Sequence, residues 1–239
     1  MTNTLHRHGS NNSLRNDYVV FAIPCRGLND KGSAPKLQEF LRLAAKYKPV
    51  NMGSGSQGSI FRPNKKLTPL AHWHREETVC CETVINSISG PSTTAVVYDN
   101  KAAVENLLRD LREADLGLSV NISALIGKTQ ECCQSASLKR HSVEYSLRFM
   151  GNTDRLAESH VLELVMMCGH GMISFNFARK MVDWVRGGRR TPQQAGEYLC
   201  RFCTCGVFNP HRAEEILRKA GLEVEEGPDN VGGTSGGID

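Results

Sequence analysis

The stretch Thr93 to Ile122, TTAVVYDNKAAVENLLRDLREADLGLSVNI, decides the fold. Thr93 to Tyr98 is a short β-branched apolar run. Asp99 follows as a candidate N-cap for a helix that carries Val104, Leu107, Leu108 and Leu111 on one stripe. Gly117 stops that helix, and Leu118-Ser-Val-Asn-Ile122 alternates as a half-buried strand does. Strand, helix and strand in so short a span make a βαβ-type unit. Upstream, Tyr18-Val-Val-Phe-Ala-Ile23, bounded by Pro24, is another buried strand, and Leu37, Phe40, Leu41, Ala44 and Ala45 predict a helix from about Pro35 to Lys48. Thr83 to Ile88 and Ser142 to Phe149 also have β-like patterns, the second with Val143, Tyr145, Leu147 and Phe149 on one face. Residues 17–155 are therefore expected to form an α+β domain with four to six strands backed by two or three helices. The expected arrangement is a ferredoxin-like sandwich.

Beyond about residue 155 the pattern turns helical. Val161 to Met167 is a dense apolar run, and Ile173, Phe177, Met181, Trp184 and Val185 give a helix from about Met172 to Arg186 an inward face. Thr191-Pro192-Gln193-Gln194 has the residues of a capping box with Pro at the first helical position. Asn209-Pro210 begins a last helix with Ala213, Ile216, Leu217 and Ala220 inward. Residues 156–221 thus form a small all-helical module with cysteines at its joints. It is flanked in the sequence by a polar arm at 1–16 and an acidic, Gly-rich tail at 222–239, both expected to be disordered.

Composition sets limits on function. The chain of 239 residues is 40% hydrophobic and 23% charged, which is ordinary for a globular protein and excludes a wholly disordered one. No apolar run reaches the roughly 18 residues of a membrane span, and Met1 to Arg15 lack the apolar centre of a secretory signal. The expectation is a cytoplasmic protein with no membrane partner. Lys and Arg number 29 against 25 Asp and Glu, a net charge of +4, so a nucleic-acid partner is not expected. Removing the tail's Glu223, Glu225, Glu226, Asp229 and Asp239 leaves 20 acidic residues against the same 29 basic ones, about +9. The nine cysteines are the anomaly. In a reducing compartment they serve as metal ligands, redox thiols or small apolar fillers rather than as a disulfide frame.

Four of the nine fall in the helical module, in the strings Met167-Cys168-Gly169-His170-Gly171 and Cys200-Arg201-Phe202-Cys203-Thr204-Cys205-Gly206. Cys200 and Cys203 are three apart at a helix end and share a face, and Gly206 lets Cys205 curl back towards them. Several converging soft sulfurs are what a thiophilic metal needs. Cys168 and His170 stand where the chain enters a helix, whose first amides favour thiolate over thiol. The order Cys168-x-His170, two helices, Cys200-x-x-Cys203 and a further helix resembles the bacterioferritin-associated ferredoxin-like [2Fe-2S] domain over residues 165–220, under a quarter of the chain. The resemblance implies a helix-turn-helix fold, an iron–sulfur cluster and a redox protein partner. It departs where His170 stands for a cysteine and where Cys205 is added. Either His170 is a ligand, or Cys168, Cys200, Cys203 and Cys205 close the site with His170 behind them. Zinc suits a closed thiolate site equally well and would make the module a zinc-stabilised interaction unit, although the common zinc layout has two C-x-x-C knuckles and only one such pair is present. The five-residue string around Cys168 also looks like that of a catalytic cysteine in the proline racemase family, which implies proton transfer by a thiolate.

Other signals are weaker. Gly53-Ser-Gly55-Ser-Gln-Gly58 fits a phosphate-loop spacing but follows a helix rather than a strand, so residues 49–80 are expected to be a long loop with marginal strands. His72-Trp73-His74 near Cys80-Cys81 could hold a second ion, although a polar loop anchored by its Trp explains the string as well. Arg186, Arg189 and Arg190 form a basic loop that is either a plain solvated surface loop or one that would raise the potential of a nearby cluster. No catalytic triad or carboxylate pair is present, so the sequence leaves enzyme status open.

Overall fold

The computed structural model describes residues 7–63, 78–146 and 149–222. The protein is mixed α+β, with a five-stranded antiparallel sheet and nine helices among these residues. In chain order the elements are α1 (Asn11–Leu14), β1 (Tyr18–Ile23), α2 (Ala34–Ala45), β2 (Asn51–Ser54), β3 (Gly58–Ser59), α3 (Cys81–Asn86), β4 (Thr94–Tyr98), α4 (Lys101–Ala114), β5 (Ser119–Ser123), α5 (Ile126–Ser135), α6 (Ser159–Met166), α7 (Phe175–Arg186), α8 (Pro192–Cys200) and α9 (Pro210–Leu222). The strands lie in the order β3-β2-β4-β1-β5. Val20 pairs with Val96 on one side and with Ile122 on the other, which fixes the central register.

Successive side chains of a strand leave by opposite faces. Tyr18, Val20 and Ala22 of β1, with Val96 and Tyr98 of β4, pack into a core with α2, α3 and α4. Val19, Phe21, Ala95 and Val97 leave by the other face and join a second core built from α6 to α9. Both faces of the central strands are covered, so these strands read as continuous apolar runs. β5, at the edge, keeps the alternation: Val120 and Ile122 pack against the first core, while Ser119, Asn121 and Ser123 take the opposite face. The Tyr98 hydroxyl, buried in the first core, donates to the carbonyl of Ala44 at 2.7 Å.

Local chemistry accounts for most boundaries. The side chain of Asn100, rather than that of Asp99, accepts from the Ala103 amide at 2.9 Å and caps α4, leaving Asp99 to meet His211 of α9 at 2.8 Å. The capping box before α8 forms in full, with Thr191 and Gln194 each accepting from the other's amide at 3.2 and 3.1 Å.

Two strand expectations do not hold. Thr83 to Ile88 lies mostly in the helix α3, because Val84, Ile85 and Ile88 also match helical spacing and bury one side of it. A short apolar run does not distinguish the two periods. Ser142 to Ser146 forms no strand: Val143 and Tyr145 are 40% and 64% exposed, and β5 remains an edge. Leu147 and Arg148, within the same expected strand, lie outside the described residues, as does the His72-Trp73-His74 string. The arm expected to be disordered is, from Arg7 onward, packed on the fold. Arg7 pairs with Asp17 at 3.1 Å, and both side chains are almost fully buried.

Candidate metal centre

α6 delivers Cys168 to the inner face of the helical core two residues after it ends, and the chain then turns through Gly169 and Gly171. Both glycines have positive φ, +71° and +64°, in the left-handed region that a side chain disfavours. α8 ends at Cys200, and the turn beyond it carries Cys203 and Cys205 before Asn209 opens α9. The Asn209 side chain accepts from the Arg212 amide at 3.1 Å and donates to Asp17 at 3.0 Å, tying the end of this turn to the residue before β1.

The turn is seated on the β2–β3 hairpin. Ser59 donates to the carbonyl of Cys203 at 3.1 Å, Arg62 to that of Phe202 at 3.0 Å, and Asn51 to that of Phe208 at 2.9 Å. Gly206 lies against the backbone of Gly53 so closely that a Cβ on Gly53 would stand 2.8 Å from the Cys205 carbonyl carbon and the Gly206 nitrogen. The Gly-rich string at 53–58 therefore belongs to a hairpin on which a second backbone rests. It is not the strand-to-helix loop that cradles a phosphate. Asn51, Gly53, Ser59 and Arg62 all come from the segment expected to be mostly loop. Its sequence signal was the run Asn51-Met-Gly-Ser54, in which an isolated Gly within a strand marks close backbone approach.

Of the five residues singled out in the sequence, four converge. The sulfurs of Cys203 and Cys205 are 3.8 Å apart, the Cys205 sulfur is 3.3 Å from Nδ1 of His170, and the Cys168 thiol interacts with both of the other two. The three cysteines are buried, and His170 reaches the solvent. Cys200 is buried beside them with different partners: its thiol faces the carbonyl of Phe208 at 4.0 Å and receives Nδ2 of Asn51 at 3.3 Å.

The electrostatics concentrate one negative charge. Hydrogen bonds from Cys168 and Cys205, supported by the amides of Phe208 and Val207, hold the Cys203 thiol well below the ordinary range. The hydrogen bond to Cys203 pushes Cys168 up to about 12, and hydrogen bonding to Cys168 and then Cys203 raises Cys205. Burial raises Cys200. Burial also lowers Arg7 and Arg62, opposed at Arg7 first by Asp17 and at both by the negative charge of the Cys203 cluster. Proton transfer of the racemase kind needs a thiolate that a substrate can reach. Cys168 is 0% exposed and holds its proton.

Among the described residues, no group of three or more His, Cys, Asp or Glu side chains is placed so that it could hold a metal ion. All nine cysteines are unpaired. Fold and site together define an α+β protein with a buried three-thiol cluster, capped by an exposed imidazole, between a sheet and a helical layer. No protein-family model, curated protein or solved structure matches the chain.

Proposed function

We propose that the chain is a metal-binding protein that holds a single ion between Cys168, His170, Cys203 and Cys205, and that the ion is zinc. The spacing of the donors carries this reading. Tetrahedral zinc with sulfur at about 2.3 Å and nitrogen at about 2.0–2.1 Å puts two sulfurs about 3.8 Å apart and sulfur about 3.6 Å from nitrogen. The Cys203–Cys205 and Cys205–His170 pairs, at 3.8 and 3.3 Å, lie within a few tenths of an ångström of those two edges. The charge also fits, since three thiolates and one Zn²⁺ sum to −1, which the cluster already favours on Cys203. Zinc would pin the turn 200–206 to α6 and make the helical layer a zinc-stabilised interaction unit. The strand order β2-β4-β1-β5, with α2 and α4 as its crossovers, supports reading the α+β layer as a ferredoxin-like sandwich. Nine free thiols fit a reducing, cytoplasmic setting, and no helix among the described residues is long and apolar enough to cross a membrane.

One observation favours an iron–sulfur cluster with an electron-transfer or redox-sensing role. Asn51 donates to the Cys200 sulfur, the kind of contact that tunes cluster thiolates. That cluster would take Cys200 with Cys168, Cys203 and Cys205, and Cys200 would have to turn from Phe208 towards the other three. Elemental analysis and absorption of anaerobically purified full-length protein decide between the two. Colourless protein with one equivalent of zinc, retained in Cys200→Ser and lost in Cys203→Ser, is the expected result. Brown protein bleached by reductant replaces zinc with iron–sulfur, and protein devoid of either metal overturns both readings.

A further inference from the structure

The strand order puts β5 at one edge of the sheet. β5 pairs with β1, and among the described residues no strand pairs with its other side. A cavity of about 730 Å³ borders that edge. Two unbroken stretches of chain line it, one from Leu118 to Ile126 and the other from Leu138 to Ser146. Leu108 and Leu111 of α4 add an apolar wall. Three side chains that line it, Ile126, Val143 and Tyr145, are among the exposed large hydrophobic residues, at 39%, 40% and 64%. Lys139, Arg140 and His141, which also line it, are exposed and basic. Of the two acids there, Asp17 is buried and paired with Arg212 at 3.0 Å, and Glu144 is exposed in the same stretch as the basic run.

An open strand edge offers a row of amides and carbonyls to another extended chain, and pockets beside the edge select alternate side chains. Here the lining mixes apolar side chains with polar ones, and the exposed charge is mainly positive. We propose that this groove binds an extended acidic peptide, which adds to β5 as a further strand. Its apolar side chains would enter the cavity and its carboxylates would meet Lys139 and Arg140. The inference is independent of the metal reading.

The test uses metal-replete full-length protein and a fluorescein-labelled heptapeptide alternating Glu with Val or Ile, followed by anisotropy. Binding should be saturable and should protect the amides of Ser119–Ser123 from hydrogen exchange. Methylating alternate backbone nitrogens of the peptide removes ladder donors and should weaken binding by about tenfold or more, and the Lys139→Glu, Arg140→Glu double variant should do the same. Absence of binding overturns the proposal. So does equal binding of the methylated peptide, which would mean a basic patch only. Self-association of the protein that protects Ser119–Ser123 without peptide would assign the edge to a second copy and overturn it as well.

Discussion

Cys203 is the residue on which the thiol cluster turns, because it is the sulfur that the others and two backbone amides stabilise as an anion. Cys168, pushed up to about 12, and Cys205, also raised, keep their protons at neutral pH. A metal displaces those protons, since only thiolates ligate. Below those raised values, metal uptake should therefore release about two protons, and affinity should rise about a hundredfold per pH unit. Calorimetry of zinc binding in buffers of different ionisation enthalpy reads the proton count, and a pH-independent affinity would count against the shared-thiolate arrangement. The remaining cysteines differ from one another in a testable way. Hydrogen bonding to Thr83 at 3.3 Å lowers Cys80, which is exposed, whereas burial pushes Cys132 up to about 11. Iodoacetamide at pH 7.5 should modify Cys80 well before Cys132, as peptide mass spectrometry would show.

At the scale of elements, the site depends on how the β2–β3 hairpin meets the cysteine turn. Gly53→Ala would drive a methyl group into the Cys205–Gly206 backbone, which can yield only by moving the turn. A loss of about 1–3 kcal/mol is expected, together with weaker metal retention. Thr191→Ala removes half of a capping box far from the sulfurs and should cost about 1 kcal/mol with metal content unchanged. Thermal melts paired with metal analysis separate the two cases, and equal metal loss in both would mean that the hairpin has no special role. This contrast also shows what the sequence could disclose. Local signals sufficed for α4, α8, α9 and β1, because caps and apolar stripes lie within a few residues of the elements they define. β2 is four residues long and β3 two, too short for any period, and their value lies in contacts with Phe202, Cys203 and Phe208 some 140 or more positions away. The cysteine spacing pointed to the turn after α8, where Cys203 and Cys205 do lie 3.8 Å apart. It could not say that Cys200 faces Phe208 while His170 faces Cys205, because the first is held by Asn51 from 149 positions away and the second joins residues 35 apart.

At the scale of the whole molecule, the sheet divides two cores that depend on the sulfurs unequally. The core on the α6–α9 face contains Cys168, Cys200, Cys203 and Cys205 themselves, together with Phe21 and Val97 of the sheet. The opposite core, under α2 and α4, includes only Cys132 among its buried residues, with Cys81 packed against it. A second fastening holds the cysteine side: Arg212 pairs with Asp17 and Glu163 at 3.0 Å each, and all three side chains are at least 88% buried. Breaking such a buried network strands a charge, so Asp17→Asn should cost about 3–5 kcal/mol, whatever the metal content. Chelation acts differently. It would leave the ionic fastening intact and withdraw only the link between α6 and the turn after α8. Hydrogen exchange of the chelated protein should therefore accelerate in residues 167–208 and in the hairpin 51–62 that seats them, while α2 and α4 exchange at their original rates. Uniform acceleration through both cores would mean that the metal supports the sheet as a whole. Unchanged exchange around Cys203 would mean that the sulfurs are only packed there, and the metal reading would fall with it.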